Sequence, residues 1–138
     1  MFISSVNLLA VVVATIVSMA IGWLWYSPVL FGKAWLKALG RGEADVAAMK
    51  QGAPRAITLE LVATLVKMYV LAGLVSFAFT DSAAQGALIG LWLWLGFVVT
   101  TNLSSVTFEG RSKVTYLIGI TCQLVTLVVA GMILAVWQ

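Results

Sequence analysis

Four long apolar runs, each close to the length that crosses a bilayer, constrain this chain more than any other feature. They cover about residues 7–25, 57–79, 84–104 and 114–137. A spanning helix needs about 20 mainly apolar residues to cross roughly 30 Å of hydrocarbon. No proline interrupts any run, and none alternates with the period of two that a barrel strand requires. Hydrocarbon cannot hydrogen-bond an exposed peptide group, so runs of this length are expected to be helices. The expected fold is an all-α membrane protein, one domain over residues 1–138, with four transmembrane helices in an up-down antiparallel bundle.

Composition excludes the main rivals. Of 138 residues, 62% are apolar and 9% charged, against about 45–50% and about 25% in a soluble domain. A disordered chain would be far more polar, and a single cysteine, Cys122, cannot build a disulfide scaffold. There is no histidine, which removes the commonest general base and metal ligand. No metal and no cofactor is therefore expected. The net charge of +3 does not point to nucleic acid, because such a surface needs a basic stripe on a water-soluble fold.

Charge sets the expected topology instead. The loop 28–55 and the turn 108–113 fall on one side of a four-span chain, and together they hold seven of the eight basic residues. The positive-inside rule puts both in the cytoplasm and both termini outside. Trp23, Trp25 and Tyr26 end the first run as an interfacial belt, and no Lys or Arg precedes it, so it reads as a retained helix rather than a secretory leader. Trp137 is the expected outer anchor of the fourth span.

Within the loop, Ser27 resembles an N-cap with Pro28 at the first helical position. Phe31, Trp35 and Leu39 recur every four residues, Lys33 and Lys37 take another face, and Gly40 is a natural stop. This predicts a short amphipathic helix in the headgroup layer, its lysines turned to anionic membrane lipids. A second short helix is expected from Glu43 to Gln51, closed by Gly52 and Pro54.

Ionisable residues at membrane depth are expensive and draw attention by default. Lys67 lies ten residues into the second run, with Glu60 seven residues earlier on nearly the same face, about 10 Å away along a helix. Either the two form a charge pair or proton relay in the interior, or Glu60 sits at the interface and Lys67 snorkels toward headgroups. Asn102, with Thr100, Thr101, Ser104 and Ser105, clusters near the end of the third run, and Gln123 and Thr126 lie in the fourth. Interhelical hydrogen bonds in membranes average about 0.6 kcal/mol, so these read first as adhesive between helices. Gly86 and Gly90 form a small-xxx-small pair that permits close helix approach. Trp92 and Trp94 are expected to pack against a neighbouring helix or a partner subunit. Without His or a cysteine pair, a bound pigment is not expected. Cys122 sits mid-run, where a thiol is expected to be inert, and no catalytic constellation is visible.

Taken together, Trp25-Tyr26-Ser27-Pro28, Phe31-Gly32-Lys33 with Trp35, and Phe108-Glu109-Gly110-Arg111-Ser112 carry a likeness. On these motifs the chain resembles, over essentially its whole length, a family of small bacterial four-span membrane proteins catalogued only as a domain of unknown function. The resemblance implies a bacterial inner-membrane location. It also implies that Tyr26, Pro28, Gly32, Lys33, Trp35, Glu109 and Arg111 form one cytoplasmic-face cluster. It implies no activity, and Lys67 is not part of its pattern. The expected function is a non-enzymatic accessory or scaffold subunit, acting as a homo-oligomer or with a membrane-protein partner. The alternative is a small ion or proton channel or transporter with a path near Glu60, Lys67, Asn102 and Gln123. A weaker third reading is an enzyme acting on lipid headgroups.

Overall fold

The computed structural model describes residues 6–138. The first five residues, on which the expected outward N-terminus falls, lie outside the described residues. Five helices follow in order: α1 Leu8–Trp25, α2 Gly32–Leu39, α3 Glu43–Phe77, α4 Ala83–Thr107 and α5 Lys113–Val136. Among the described residues there is no strand. All but α2 are long and apolar enough to cross a membrane.

The start of α1 is fixed by Asn7, whose Oδ1 accepts from the amides of Leu9 and Ala10 at 3.0 and 3.2 Å. Its end corrects the expected role of Ser27. That hydroxyl donates to the carbonyl of Leu24 at 2.7 Å, and the Ser27 carbonyl accepts from the amide of Gly32 at 2.9 Å. Ser27 therefore closes α1 and the turn after it, and α2 starts at Gly32 rather than at Pro28. The turn is too tight for a side chain at its exit: a Cβ on Gly32 would lie 2.7 Å from the carbonyl carbon of Ser27. Gly40 ends α2 with φ 69°, as expected. The aromatic face of α2 folds back on the end of α1, with Phe31 against Trp25 and Trp35 against Tyr26, each at 5.0 Å between ring centroids.

The second correction concerns the expected break at Gly52 and Pro54. Both lie inside one 35-residue helix, α3. Proline forfeits one backbone hydrogen bond and crowds the preceding turn. Ending one helix and starting another would instead orphan four carbonyls and four amides. The flanking residues (Ala47, Ala48, Met49, Lys50, Gln51, Ala53, Ala56) also include several good helix formers. At 1.5 Å per residue α3 is roughly 50 Å long, about 20 Å more than the hydrocarbon thickness. It ends in a Schellman turn: Phe79, with φ 55°, donates its amide to Ser76, and Thr80 donates to Val75. The Gln138 side chain donates to the carbonyl and hydroxyl of Thr80, tying the end of the chain to this turn.

The closest approach in the molecule is between α4 and α5. A Cβ on Gly86 would strike the carbonyl of Gly131, one on Gly131 the carbonyl of Gly86, and one on Gly90 the carbonyl of Leu127. The small-xxx-small pair is therefore used inside the chain. Beside this seam lies the apolar core: Ala10, Val11 and Ala14 from α1, Met68, Leu71, Ala72 and Val75 from α3, Leu127, Ala130, Leu134 and Ala135 from α5.

Farther along, α4 widens into a π turn over Trp94–Val99. Side chains take the carbonyls that a widened turn leaves poorly paired. The hydroxyl of Thr100 donates to Gly96 at 2.6 Å, the amide of Asn102 to Val98 at 2.8 Å, and the hydroxyl of Tyr116 to Val99 at 2.8 Å. Trp94 Nε1 reaches across to the carbonyl of Ile120 at 2.6 Å, whereas Trp92 is 64% exposed on the outer face.

Gly86→Val is expected to lower the thermal stability of the detergent-purified protein, since overpacking a tight contact costs about 1–3 kcal/mol. Gly96→Ala, where a Cβ meets nothing within 4 Å, should melt like the parent or slightly higher. Equal melting of Gly86→Val and the parent would contradict the seam.

Candidate functional site

The dry core fills only part of the bundle. Beyond Ser18 and Met68, whose Oγ and Sδ lie 3.6 Å apart, the facing side chains become polar and two cavities open. The larger, of about 710 Å³, is walled by α1 (Ser18, Gly22, Trp23), α2 (Trp35), α3 (Ile57, Glu60, Thr64, Lys67) and α5 (Cys122, Gln123, Thr126). The smaller, of about 320 Å³, lies between α4 (Val98, Asn102, Ser105) and α5 (Thr115, Tyr116, Gly119, Ile120), with Arg111 at its rim. Tyr26, Lys67 and Gln123 line both and form the wall they share.

One face of α5 explains the continuity. Thr115, Gly119, Gln123 and Thr126 recur at helical spacing and run from the smaller cavity into the larger. Lys67 is half-buried, and its Nζ donates across from α3 to Gln123 Oε1 at 3.2 Å. Glu60 is exposed at the mouth of the larger cavity, where Thr64 Oγ1 donates to its Oε1 at 3.4 Å. Glu60 and Lys67 thus face one cavity, each with its own neutral partner. Tyr26, the residue just past α1, has its phenol pushed above the ordinary value by burial, so it stays a hydroxyl donor. The Tyr26 hydroxyl would lie 3.6 Å from a Cβ on Gly119, an ordinary contact distance that places Gly119 against the shared wall.

Of the residues expected at a cytoplasmic-face cluster, the structure gathers some and scatters others. Tyr26, Trp35 and Gly32 are together at the α1–α2 turn, and Arg111 reaches the smaller cavity. Pro28, Lys33 and Glu109 are exposed and line neither cavity. Of the expected intramembrane set, Glu60, Lys67, Asn102 and Gln123 all line one or both.

The adhesive reading holds for Gln123, which accepts from Lys67 across two helices, and is corrected for other polar side chains of the third and fourth spans. Thr100, Asn102, Ser104, Ser105 and Thr126 each bond to a carbonyl of their own helix. Among the described residues the interhelical bonds come from Trp25 to Ile118 at 3.0 Å, Trp94 to Ile120, Tyr116 to Val99, Lys67 to Gln123 and Ser18 to the Met68 sulfur. Thr64, Thr115, Tyr116 and Gly119 were not singled out from sequence. The spacing of Thr115 and Gly119 at four-residue steps before Gln123 was a signal for those two, and no comparable pattern marks Thr64 or Tyr116.

The model of one protein family matches the chain over residues 9–135, and that family is described as a protein of unknown function, DUF1761. No curated protein and no solved structure matches.

A double-mutant cycle on Lys67→Met and Gln123→Leu measures the contact that joins the cavities. The expected coupling lies at or above the average of about 0.6 kcal/mol for interhelical bonds in membranes, whose maximum is near 1.7. It would be read from unfolding in detergent, and additive effects would mean the two side chains do not interact.

Proposed function

The chain belongs to the DUF1761 family, and we propose that it is a non-enzymatic integral membrane protein that admits a small ion or solute into a one-sided polar vestibule. The path runs near Glu60, Lys67, Asn102 and Gln123. What carries the reading is one arrangement: a smaller polar cavity and a larger, mostly apolar one bearing Glu60 and Lys67 meet at the Lys67–Gln123 contact and end against a dry core. The exposed lining residues Trp23, Ile57, Glu60, Asn102 and Arg111 put the mouths beside the α1–α2 and α4–α5 connections. At the other end Met68, Val75, Ala130 and Leu134 are 0–2% exposed, so no water-lined route continues. A permanently open pore would need polar lining throughout. The vestibule fits a gated or alternating-access protein better.

In this reading the four long helices form an up-down antiparallel bundle in the bacterial inner membrane. The basic connections face the cytoplasm by the positive-inside rule, so the vestibule opens there. Helix α2 lies in the headgroup layer with Lys33 and Lys37, both exposed, toward anionic lipids. No nucleic acid is involved. Glu60 is the lone carboxylate among the described cavity-lining residues, so no carboxylate pair is available there for acid–base chemistry.

A second reading, as an accessory subunit or homo-oligomer, draws on the outer face of α4, where Leu88, Leu91, Trp92, Leu95 and Phe97 are exposed. Its seam glycines are already used within the chain, so any partner must meet this larger, bulkier face. Purification in mild detergent should then give a defined oligomer or a stoichiometric partner. A monodisperse monomer with nothing bound counts against it.

For the vestibule reading, reconstituted protein should carry an ion or proton flux that Lys67→Met reduces roughly tenfold or more, the effect of losing a hydrogen bond to a charged group. Flux indistinguishable from empty liposomes would remove the proposal.

A further inference from the structure

The two cavities differ in charge. Lys67 and Arg111 line the smaller one, and among the described residues no acid does, while Glu60 lines only the larger. The rest of its polar wall is hydroxyl and amide: Tyr26, Asn102, Ser105, Thr115, Tyr116 and Gln123. Thr115 is 8% exposed, and its Oγ1 has no hydrogen-bond partner. Buried polar groups are nearly always paired, so an orphan beside a cavity asks for an occupant. The Lys67 ammonium donates to the neutral amide of Gln123, and the backbone amide of Arg111 donates to the Ser105 carbonyl at 2.9 Å, fixing that residue's backbone beside the cavity. Lys67, half-buried, faces this space from one side and Arg111, exposed, from its rim, while the carboxylate of Glu60 lies in the adjoining cavity, so an anion in the smaller one meets two cations and no acid. The mouth also lies at the N-terminal end of α5, where the helix dipole favours anions.

We propose that the smaller cavity binds an oxyanion, a carboxylate or phosphate group, held by Lys67 and Arg111 and by the hydroxyls of Thr115 and Tyr26. The inference rests on the vestibule reading and names its solute class. A planar guanidinium matches two oxygens of such a group, and an ammonium serves as a point charge. The volume of about 320 Å³ lies at the small end of ligand sites. The oxyanion is either a free small anion or the head of an anionic amphiphile. For the amphiphile, the adjoining larger cavity, lined by Met19, Trp23 and Ile57, has room for the chain.

The full chain in phosphatidylcholine nanodiscs is the material for the test. Its melting temperature is measured at fixed ionic strength in chloride, acetate or inorganic phosphate, and separately in discs doped with oleate or phosphatidic acid. A saturable rise over chloride supports the site. A rise with the free anions alone assigns a soluble source, and one with the doped discs alone a lipidic source. Arg111→Gln, a change at an exposed loop position, should weaken the apparent affinity roughly tenfold or more. Thr115→Val should melt no lower than the parent without ligand, because its hydroxyl has no bond to lose, yet respond less to the oxyanion. The inference is overturned if no oxyanion exceeds chloride, or if the shift is unchanged in both variants. Flux without any oxyanion response would overturn this inference and leave the transport reading standing. Oxyanion binding without flux would do the reverse.

Discussion

The contact of two helix backbones at Gly86 and Gly131 sets the shape of everything around it. Where α4 and α5 touch there, no side chain fits between them, and one turn on Gly90 meets Leu127 in the same way. Farther along the same pair of helices, Trp94 and Tyr116 stand between the backbones and donate to Ile120 and Val99. Helices that touch at glycines at one end and are spaced by an indole and a phenol at the other must enclose a wedge of space. The smaller cavity is that wedge. The dry core packs beside the closed end, and the polar lining begins where the helices part.

Backbone satisfaction explains most of the remaining polar chemistry. A hydroxyl in an apolar helix can bond back to the carbonyl one turn earlier, and Thr15, Ser18, Thr100, Thr121 and Thr126 all do so. Such groups are satisfied locally, and of the five only Ser18 also reaches another helix, at Met68. The polar atoms left over stand out by contrast: the ammonium of Lys67, the amide of Gln123 and the hydroxyl of Thr115 face the cavities. A site emerges from this subtraction more clearly than from the raw count of polar residues in the spans.

The long helices were legible because hydropathy alone decides them. Expected bounds of 7–25, 84–104 and 114–137 lie within a few residues of Leu8–Trp25, Ala83–Thr107 and Lys113–Val136. Gly52 and Pro54 misled, since local breaker signals yield when a continuous ladder saves eight orphaned groups. Ser27 misled for a related reason. A serine before proline serves equally as the end of one helix or the start of the next, and the tight approach of Gly32 to Ser27 decides between them. Lys67, Gln123 and Asn102 were visible as polar residues at depth, but whether they shared a space depended on the register of α3 against α5. That register comes from the packing of Met68, Leu71, Ala72 and Val75 against Leu127, Ala130 and Leu134, which a linear pattern does not encode.

Magnitudes then separate function from stability at Lys67. A lysine near the centre of a spanning helix costs about 2.5–3.5 kcal/mol on insertion scales. The single bond to Gln123 returns about 0.6 kcal/mol on average and at most near 1.7. Leucine at the same place would carry no such deficit and would extend the core from Met68 and Leu71. On the membrane reading, with Lys67 at that depth, its place in the bundle costs stability, as does the orphaned hydroxyl of Thr115. Two unfavourable groups lining one cavity, on different helices, are hard to attribute to packing and consistent with an occupant that supplies the missing interaction.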